Sequence, residues 1–215
     1  MAAQGRIAPR GDLKLKVVKK PPQRMKAPLS WKLRNAPHYW SGAWKTYLAQ
    51  YVSKITGCPV LISSLRLELH KADGTIIDYG VVGRRVVTTA GVGYIVDAFQ
   101  NLVEAENMKY HGFGTGGAAE AVGNTALTTE LTTEYATDNV RPTGTTTEGA
   151  SANIYETVAT LDPDSAVAIT EHGIFSQAAT GGGVLLDRTL FSVVNVAASG
   201  DTLQATYDLT FTSGG

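Results

Sequence analysis

Three glycines come closest to a motif with known chemistry. Gly112, Gly114 and Gly117 have the G-x-G-x-x-G spacing of dinucleotide-binding loops. Such a loop requires a helix directly behind it, whose N-terminus meets the pyrophosphate, and then a parallel strand that ends in an acid. Here a run rich in threonine and glycine follows instead. We therefore predict a close backbone crossing at these glycines and no dinucleotide site.

The histidines and acids are too dispersed along the sequence to indicate catalysis. The four histidines are His38, His70, His111 and His172. No two of them have the sequence spacing of metal ligands. Glu171 and His172 are neighbours on a predicted strand, so their side chains point to opposite faces and form a poor acid–base pair. The single cysteine, Cys58, excludes an internal disulfide and a cysteine zinc site. We predict that the chain is not an enzyme and uses no cofactor or metal.

The elements that carry these residues are mainly strands. Leu65, Leu67 and Leu69 alternate with polar residues, and Asp73 and Gly74 then favour a tight turn before a second strand over 75–82. Thr88 or Thr89 caps a predicted helix whose apolar residues recur at helical spacing. The following Thr- and Gly-rich stretch, up to about residue 149, predicts a long surface loop with one weak strand at its end.

The C-terminal third continues the β pattern. Apolar and β-branched residues predict strands over 154–161, 167–175, 184–196 and 202–212, separated by turn sequences. Strands at hairpin spacing with one helix among them indicate an antiparallel arrangement. The predicted fold is mainly β: a β-sandwich or jelly-roll-like body over residues 64–215, with one or two helices and an extended N-terminal arm.

The formal net charge of zero is a cancellation between two oppositely charged segments. Residues 1–54 contain 12 lysines or arginines and one acid, whereas residues 55–215 contain 7 basic and 18 acidic side chains. Five prolines between positions 9 and 37 disfavour a stable helix there. Residues 1–37 are therefore predicted to be an extended basic arm that binds an acidic partner surface.

A second helix is predicted between the arm and the body. From about residue 39 to 55 the apolar side chains recur at helical spacing, and Gly57 and Pro59 end the pattern. Residues 38–63 thus form a helix and linker. Its aromatic stripe, which includes Trp40 and Trp44, either packs on the chain's own body or forms an interface.

The body resembles a group of structural proteins from tailed-bacteriophage virions. The similarity rests on YHGFGTGGAAEAVGNTALTTEL, on Arg141, and on the final AITEHGIFSQAATGGGVLLDRTLFSVVNVAASGDTLQATYDLTFTSGG. It extends to LELHKADGTIIDYG and VVTTAGVGYIVDAF, and so covers about residues 64–215. The resemblance implies a virion protein, such as a capsid decoration (cement) protein or a tail or fibre component, and it carries no active site.

The preferred functional hypothesis is a capsid decoration protein that clamps major capsid subunits with its arm while the body pairs with copies of itself. Alternatives are a neck, tail or fibre-attachment protein, and a protein that binds nucleic acid through the arm, which the acidic body disfavours. No apolar run is long enough to span a membrane, and no signal peptide is evident, so we expect assembly in the host cytoplasm and location in the virion. The predicted partner-binding residues are Arg6, Arg10, Leu13, Lys14, Leu15, Lys16, Val17, Lys19, Lys20, Arg24, Lys26, Trp31, Lys32, Arg34, Trp40 and Trp44.

Overall fold

The computed structural model describes residues 22–85, 87–197 and 200–213. They form nine strands, two α-helices and one short 3-10 helix. The elements are β1 (Arg24–Lys26), α1 (Leu29–Thr56), β2 (Val60–His70), β3 (Ile76–Arg85), α2 (Thr89–Phe99), the 3-10 helix Ala105–Asn107, β4 (Tyr110–Gly114), β5 (Thr145–Glu148), β6 (Ile154–Leu161), β7 (Val167–Phe175), β8 (Leu185–Val196) and β9 (Thr202–Thr212).

Two sheets make a β-sandwich-like body, which confirms the predicted fold class. The larger sheet has the order β1-β3-β2-β9-β6-β5 and the smaller has the order β4-β7-β8. All neighbouring strands of the two sheets are antiparallel except β1, which pairs with β3 in parallel. The main core lies between the sheets, where Leu65 and Leu67 of β2 share a cluster with Ile169, Phe191 and Val194 of the smaller sheet.

Burial follows the sequence pattern strand by strand. On β9, Leu203, Ala205 and Tyr207 are fully buried while the residues between them are half-exposed, as expected for a strand with one wet face. On β8, by contrast, every residue from Leu185 to Phe191 is buried. The smaller sheet is covered on its second face by α2 and by the loop at 115–144, which contributes Leu127 to a core cluster.

The turns form where the sequence predicts them. Gly74 has a φ of 86° in the β2–β3 turn, and Gly57 ends α1 with a φ of 70°, in the left-handed region that glycine adopts without strain. The Thr88 hydroxyl accepts a hydrogen bond from the Gly91 N–H at 2.9 Å and so caps α2. These residues specify the ends of their elements locally.

The N-terminal boundary of α1 differs from the prediction. The helix begins at Leu29, not near residue 39, so residues 29–37 are helical and not part of an extended arm. Pro28 stands at the N-cap, where a missing N–H costs little, but Pro37 lies inside the helix. An internal proline costs roughly 3 kcal/mol, and the packing of the first turns against the body offsets that cost. The proposed arm segment at 1–21 lies outside the described residues.

Candidate interaction surface

Helix α1 is fixed to the body by side chains on one face. The Trp31 indole N–H lies 2.8 Å from the Val193 carbonyl oxygen and 3.2 Å from that of Ser192, and its ring contacts Tyr79 edge-on. Asn35 donates to the Val82 carbonyl at 2.9 Å and accepts from the Ser192 N–H at 2.8 Å. α1 is therefore joined to an edge of both sheets at its N-terminal end.

The rest of the inward face of α1 is small and polar. The five buried residues are Trp31, Asn35, Gly42, Thr46 and Ser53. Near the C-terminus, the Ser53 hydroxyl donates to the Cys58 carbonyl at 2.5 Å. Small side chains allow the helix to lie close to the body, but they bury little apolar surface.

The large apolar side chains of α1 face outward. Trp40 and Trp44 are 66% and 64% exposed, and Ile55 is 67% exposed. The exposed apolar residues are Leu29, Leu33, Trp40, Trp44, Tyr47, Leu48, Tyr51, Val52 and Ile55. At 3.6 residues per turn they occupy an arc of about 140°, opposite the buried face. Scattered single apolar residues are normal on a surface, but a continuous stripe of this length is typical of a binding site.

On α1 itself, which the structure describes throughout, the charged side chains that border this stripe are all basic. Lys32 and Lys54 lie on one side of it and Arg34 and Lys45 on the other, by helical spacing. The helix contains no aspartate or glutamate. We call this surface, the nine apolar residues with the four flanking cations, the α1 outer face. It has an apolar centre and a positive rim.

The predicted partner-binding residues do not all lie on this surface. Lys32, Arg34, Trp40 and Trp44 are exposed on α1. Trp31 is a correction: it is 5% exposed and holds α1 to the chain's own body, because its N–H finds carbonyl acceptors on β8. The predicted sites Arg6, Arg10, Leu13, Lys14, Leu15, Lys16, Val17, Lys19 and Lys20 lie outside the described residues.

Arg24 and Lys26 form ion pairs within the chain. Both lie on β1, where Lys26 is 2.5 Å from the Asp78 carboxylate and Arg24 pairs with Glu68. Burial alone would raise the pKa of Asp78, but the hydrogen bonds from Lys26 and the Gly80 N–H hold it below its usual value. These two cations help to attach β1 to the edge of the larger sheet and are already paired in the isolated chain.

No protein family, curated protein or solved structure matches this chain. Among the described residues, no helix is long and apolar enough to cross a membrane.

A second apolar surface surrounds α2. Phe99 and Leu102 are 84% and 68% exposed, and Val96 is 49% exposed. Between α2, the 3-10 helix and the end of β9 lies an open groove of about 510 Å³, which we call the α2 groove. It is lined by Tyr94, Ile95, Ala98, Phe99, Ala105, Met108, Tyr155, Leu186, Leu209 and Phe211. The Tyr94 and Tyr155 hydroxyls donate to main-chain carbonyls, so the groove presents mainly apolar atoms.

Two of the three motif glycines, Gly112 and Gly114, lie at a close crossing as predicted, whereas Gly117 has open space around it. A Cβ atom on Gly114 would lie 2.5 Å from the Thr129 carbonyl oxygen, and one on Gly116 would collide with the Glu171 carboxylate. The residues after Gly117 form turns and bends, not a helix. The glycines therefore allow the long loop to pass directly over β4 and β7.

Glu171 and Arg188 fasten that loop to the smaller sheet. The buried Glu171 carboxylate is 2.7 Å from an Arg188 guanidinium nitrogen and accepts hydrogen bonds from the N–H groups of Gly116, Thr128 and Thr129. Arg188 also donates to the Ala118 carbonyl and to the Thr128 hydroxyl. The interaction is structural, since both side chains are almost fully buried.

Arg141 also attaches the long loop to the smaller sheet, near the loop's C-terminal end. It forms two hydrogen bonds to Glu130 and three to the carbonyls of Gln177, Ala179 and Gly182. Its guanidinium carbon lies 3.6 Å from the centre of the Phe175 ring. The loop is thereby attached to the β7–β8 connection.

The side chains of His111 and His172 are in contact in the core, although the two residues are 61 positions apart in the sequence. His111 Nδ1 lies 3.0 Å from His172 Nε2, and His111 Nε2 lies 3.2 Å from the Thr157 hydroxyl. His172 Nδ1 has no hydrogen-bond partner, so we assign it as the unprotonated nitrogen; both rings then carry the proton on Nε2. No described group of three histidine, cysteine or acidic side chains is arranged to hold a metal ion. The pair is a neutral, fully buried hydrogen-bonded unit.

This pair predicts a loss of stability in mild acid. Burial lowers the pKa of His111 to about 3, and burial with the neighbouring His111 lowers that of His172 well below its usual value. The unfolded chain binds protons at these side chains below about pH 6.5, but the folded chain does not. The stabilisation is therefore complete above pH 6.5 and is lost as the pH falls, by up to about 1.4 kcal/mol per pH unit for each histidine.

Urea unfolding at pH 7, 6 and 5 measures this slope. Carboxyl groups with a lowered pKa, such as Asp78, titrate below this window, and Asp208, whose pKa burial raises, acts in the opposite direction. As an internal check, the imidazole NMR signals of His111 and His172 should not titrate between pH 7 and 5 in the folded protein. A free energy of unfolding that stays constant across this range would contradict the prediction.

Proposed function

We propose that this chain is a non-catalytic structural subunit that binds a larger protein assembly through the α1 outer face. The observation that supports this best is the orientation of α1, which apart from Trp31 turns small and polar residues toward the body and nine large apolar residues outward. Interfaces are enriched in tryptophan and tyrosine at their centres, and this stripe contains two of each. An outward apolar stripe lowers its free energy only when a partner covers it.

The chemistry of the surface specifies its partner. Because the charges that α1 itself places beside the stripe are all cations, the complementary surface has an apolar centre and acidic groups at its edge. A helix of 28 residues is about 42 Å long. With a width of about 12 Å it offers on the order of 500 Å², less than the roughly 800 Å² per partner of a standard interface. The basic segment at 1–21 would supply further contacts.

Nucleic acid is a poorer partner for this surface. Tryptophan and tyrosine can stack on bases, but Leu33, Leu48, Val52 and Ile55 in the same stripe cannot. The acidic body over residues 55–215 also repels phosphates. A protein surface can both bury the apolar residues of the stripe and pair acidic side chains with the flanking cations.

Together with the resemblance of residues 64–215 to tailed-bacteriophage virion proteins, these features lead us to a capsid decoration protein. In this proposal the α1 outer face and the N-terminal segment bind the major capsid protein in the virion, and the β body stands outward. A shell-wide role requires a copy number near that of the major capsid protein, or a simple fraction of it. A copy number of six to a few dozen would place the chain in the neck, tail or fibres instead.

The test removes the centre of the stripe. We expect Trp44→Ser combined with Tyr51→Ser to weaken binding to particles that lack this protein by at least about 100-fold, since each truncated anchor residue at an interface centre typically costs 2 kcal/mol or more. Both side chains are more than half exposed, so the circular dichroism spectrum and the unfolding midpoint should change little. Co-sedimentation with particles measures the binding.

A matched control replaces two exposed apolar residues elsewhere, Val122→Ser with Val140→Ser. This control should bind particles as the unmodified chain does. Equal binding by the α1 variant would overturn the proposal. The same would follow if the unmodified chain ignored particles but bound anionic phospholipid vesicles, because α1 would then be an interfacial membrane helix.

A further inference from the structure

The α2 groove combines apolar walls with an acidic rim. Asp97, Glu104 and Glu106 lie along α2 and the segment after it, and the one cation in residues 92–109 is Lys109, which follows groove residue Met108. Glu104 and Glu106 are exposed beside groove residue Ala105. A ligand for this site would present apolar side chains to the groove and positive charges to its edge.

One segment of the chain has this pattern. Residues 13–17 read Leu-Lys-Leu-Lys-Val, so that in an extended conformation Leu13, Leu15 and Val17 share one face and Lys14 and Lys16 the other. The groove volume of about 510 Å³ falls in the range of sites that hold a few side chains or a small ligand. We propose that the α2 groove binds residues 13–17 of a second copy of this chain.

The donor is a second copy because segment 13–17 cannot lie in the groove of its own chain over its whole length: Val17, the residue nearest to Gln23, falls short of it. Gln23 is hydrogen-bonded to Ile76 at the start of β3, which pairs with His70 of β2. Groove residue Leu209 pairs with Ser63, seven residues back along β2 from His70. That separation is about 23 Å along the strand and more across the sheet. Six residues lead from Gln23 back to Val17, and fully extended they span only about 20 Å.

This contact would link copies head to tail. The donor segment and the acceptor groove are different surfaces, so the interface is heterologous and builds rings or chains, not a closed two-fold dimer. It occupies residues 13–17 but not the α1 outer face, which remains available for the particle together with the rest of the N-terminal segment. Loss of one contact therefore need not remove the other.

Cysteine cross-linking tests the proposal on the full chain. Two variants that both carry Cys58→Ser are mixed under mild oxidation, one with Leu15→Cys and the other with Phe99→Cys. Phe99 is 84% exposed in the groove, so its replacement should leave the fold intact. We expect a cross-linked dimer on a non-reducing gel at least about tenfold above that obtained when Val140→Cys, on the far loop, replaces Phe99→Cys.

Charge reversal distinguishes cross-links that form through the specific contact from cross-links that form when two chains meet by chance. Lys14→Glu with Lys16→Glu in the donor should reduce the cross-link, and Glu104→Lys with Glu106→Lys in the acceptor should restore it. Equal yields at Phe99 and Val140 would overturn the proposal. So would a cross-linked monomer from a chain that carries both Val17→Cys and Phe99→Cys, since Val17 would then reach the groove of its own chain.

Discussion

Glu171→Gln is expected to lower the free energy of unfolding by about 3 to 5 kcal/mol, the usual cost of removing one partner of a buried ion pair. The change removes the carboxylate that is paired with the Arg188 guanidinium, whose side chain is only 2% exposed. It also places an NH₂ group where three main-chain N–H groups converge on the carboxylate. Urea unfolding at pH 7, followed by circular dichroism, measures the loss.

The matched control is the same chemical change on an exposed acid. Glu148→Gln on β5 should alter the free energy of unfolding by no more than about 0.5 kcal/mol. The double variant Glu171→Gln with Arg188→Met removes both charges, so it should lose less than the sum of the two single variants. Full additivity would show that the two side chains do not act as a pair.

The strands could be predicted closely because their pattern is local. The predicted strands at 154–161, 167–175 and 202–212 have the bounds of β6, β7 and β9. Alternation of apolar residues and the turn glycines suffice for this, since each strand's exposed and buried faces repeat every two residues. The β2–β3 hairpin follows from the same information.

The start of α1 could not be predicted in this way. Pro28 and Pro37 argue locally against a helix, and the bonds that stabilise its first turns come from Val82, Ser192 and Val193, far along the sequence. The same long-range contacts decide which face of α1 turns inward. Helical periodicity gives a stripe, but it does not say whether the stripe meets the body or a partner.

The contacts between buried polar groups could not be predicted from the sequence either. His111 and His172 are 61 residues apart, and Glu171 is hydrogen-bonded to residues more than 40 positions away. Their sequence neighbours suggested ordinary strand residues. Only the pairing of β4 with β7, which sets Phe113 opposite His172, brings the two histidines together. Spacing rules for metal ligands or acid–base pairs do not detect contacts made by sheet register.

Two tryptophans on one helix give the most direct test of how α1 is oriented. Trp31→Ala is expected to cost about 3 to 5 kcal/mol of unfolding free energy, because it removes a buried ring and the donor to the Ser192 and Val193 carbonyls. Trp44→Ala, on the opposite face and 64% exposed, should change it by no more than about 0.5 kcal/mol. Urea unfolding followed by far-ultraviolet circular dichroism measures both.

The two variants replace the same residue type with alanine in the same helix, so they differ in the face of α1 on which the tryptophan lies. Trp31→Ala should also loosen the first turns, whose packing offsets the cost of Pro37, and hydrogen exchange of the amides at 31–36 should accelerate. Trp44→Ala should leave exchange unchanged and reduce only binding to the assembly. If both variants lost the same unfolding free energy, Trp44 would be packed on the chain's own body. It could then not be the central contact of the proposed interface, and the proposal would be wrong.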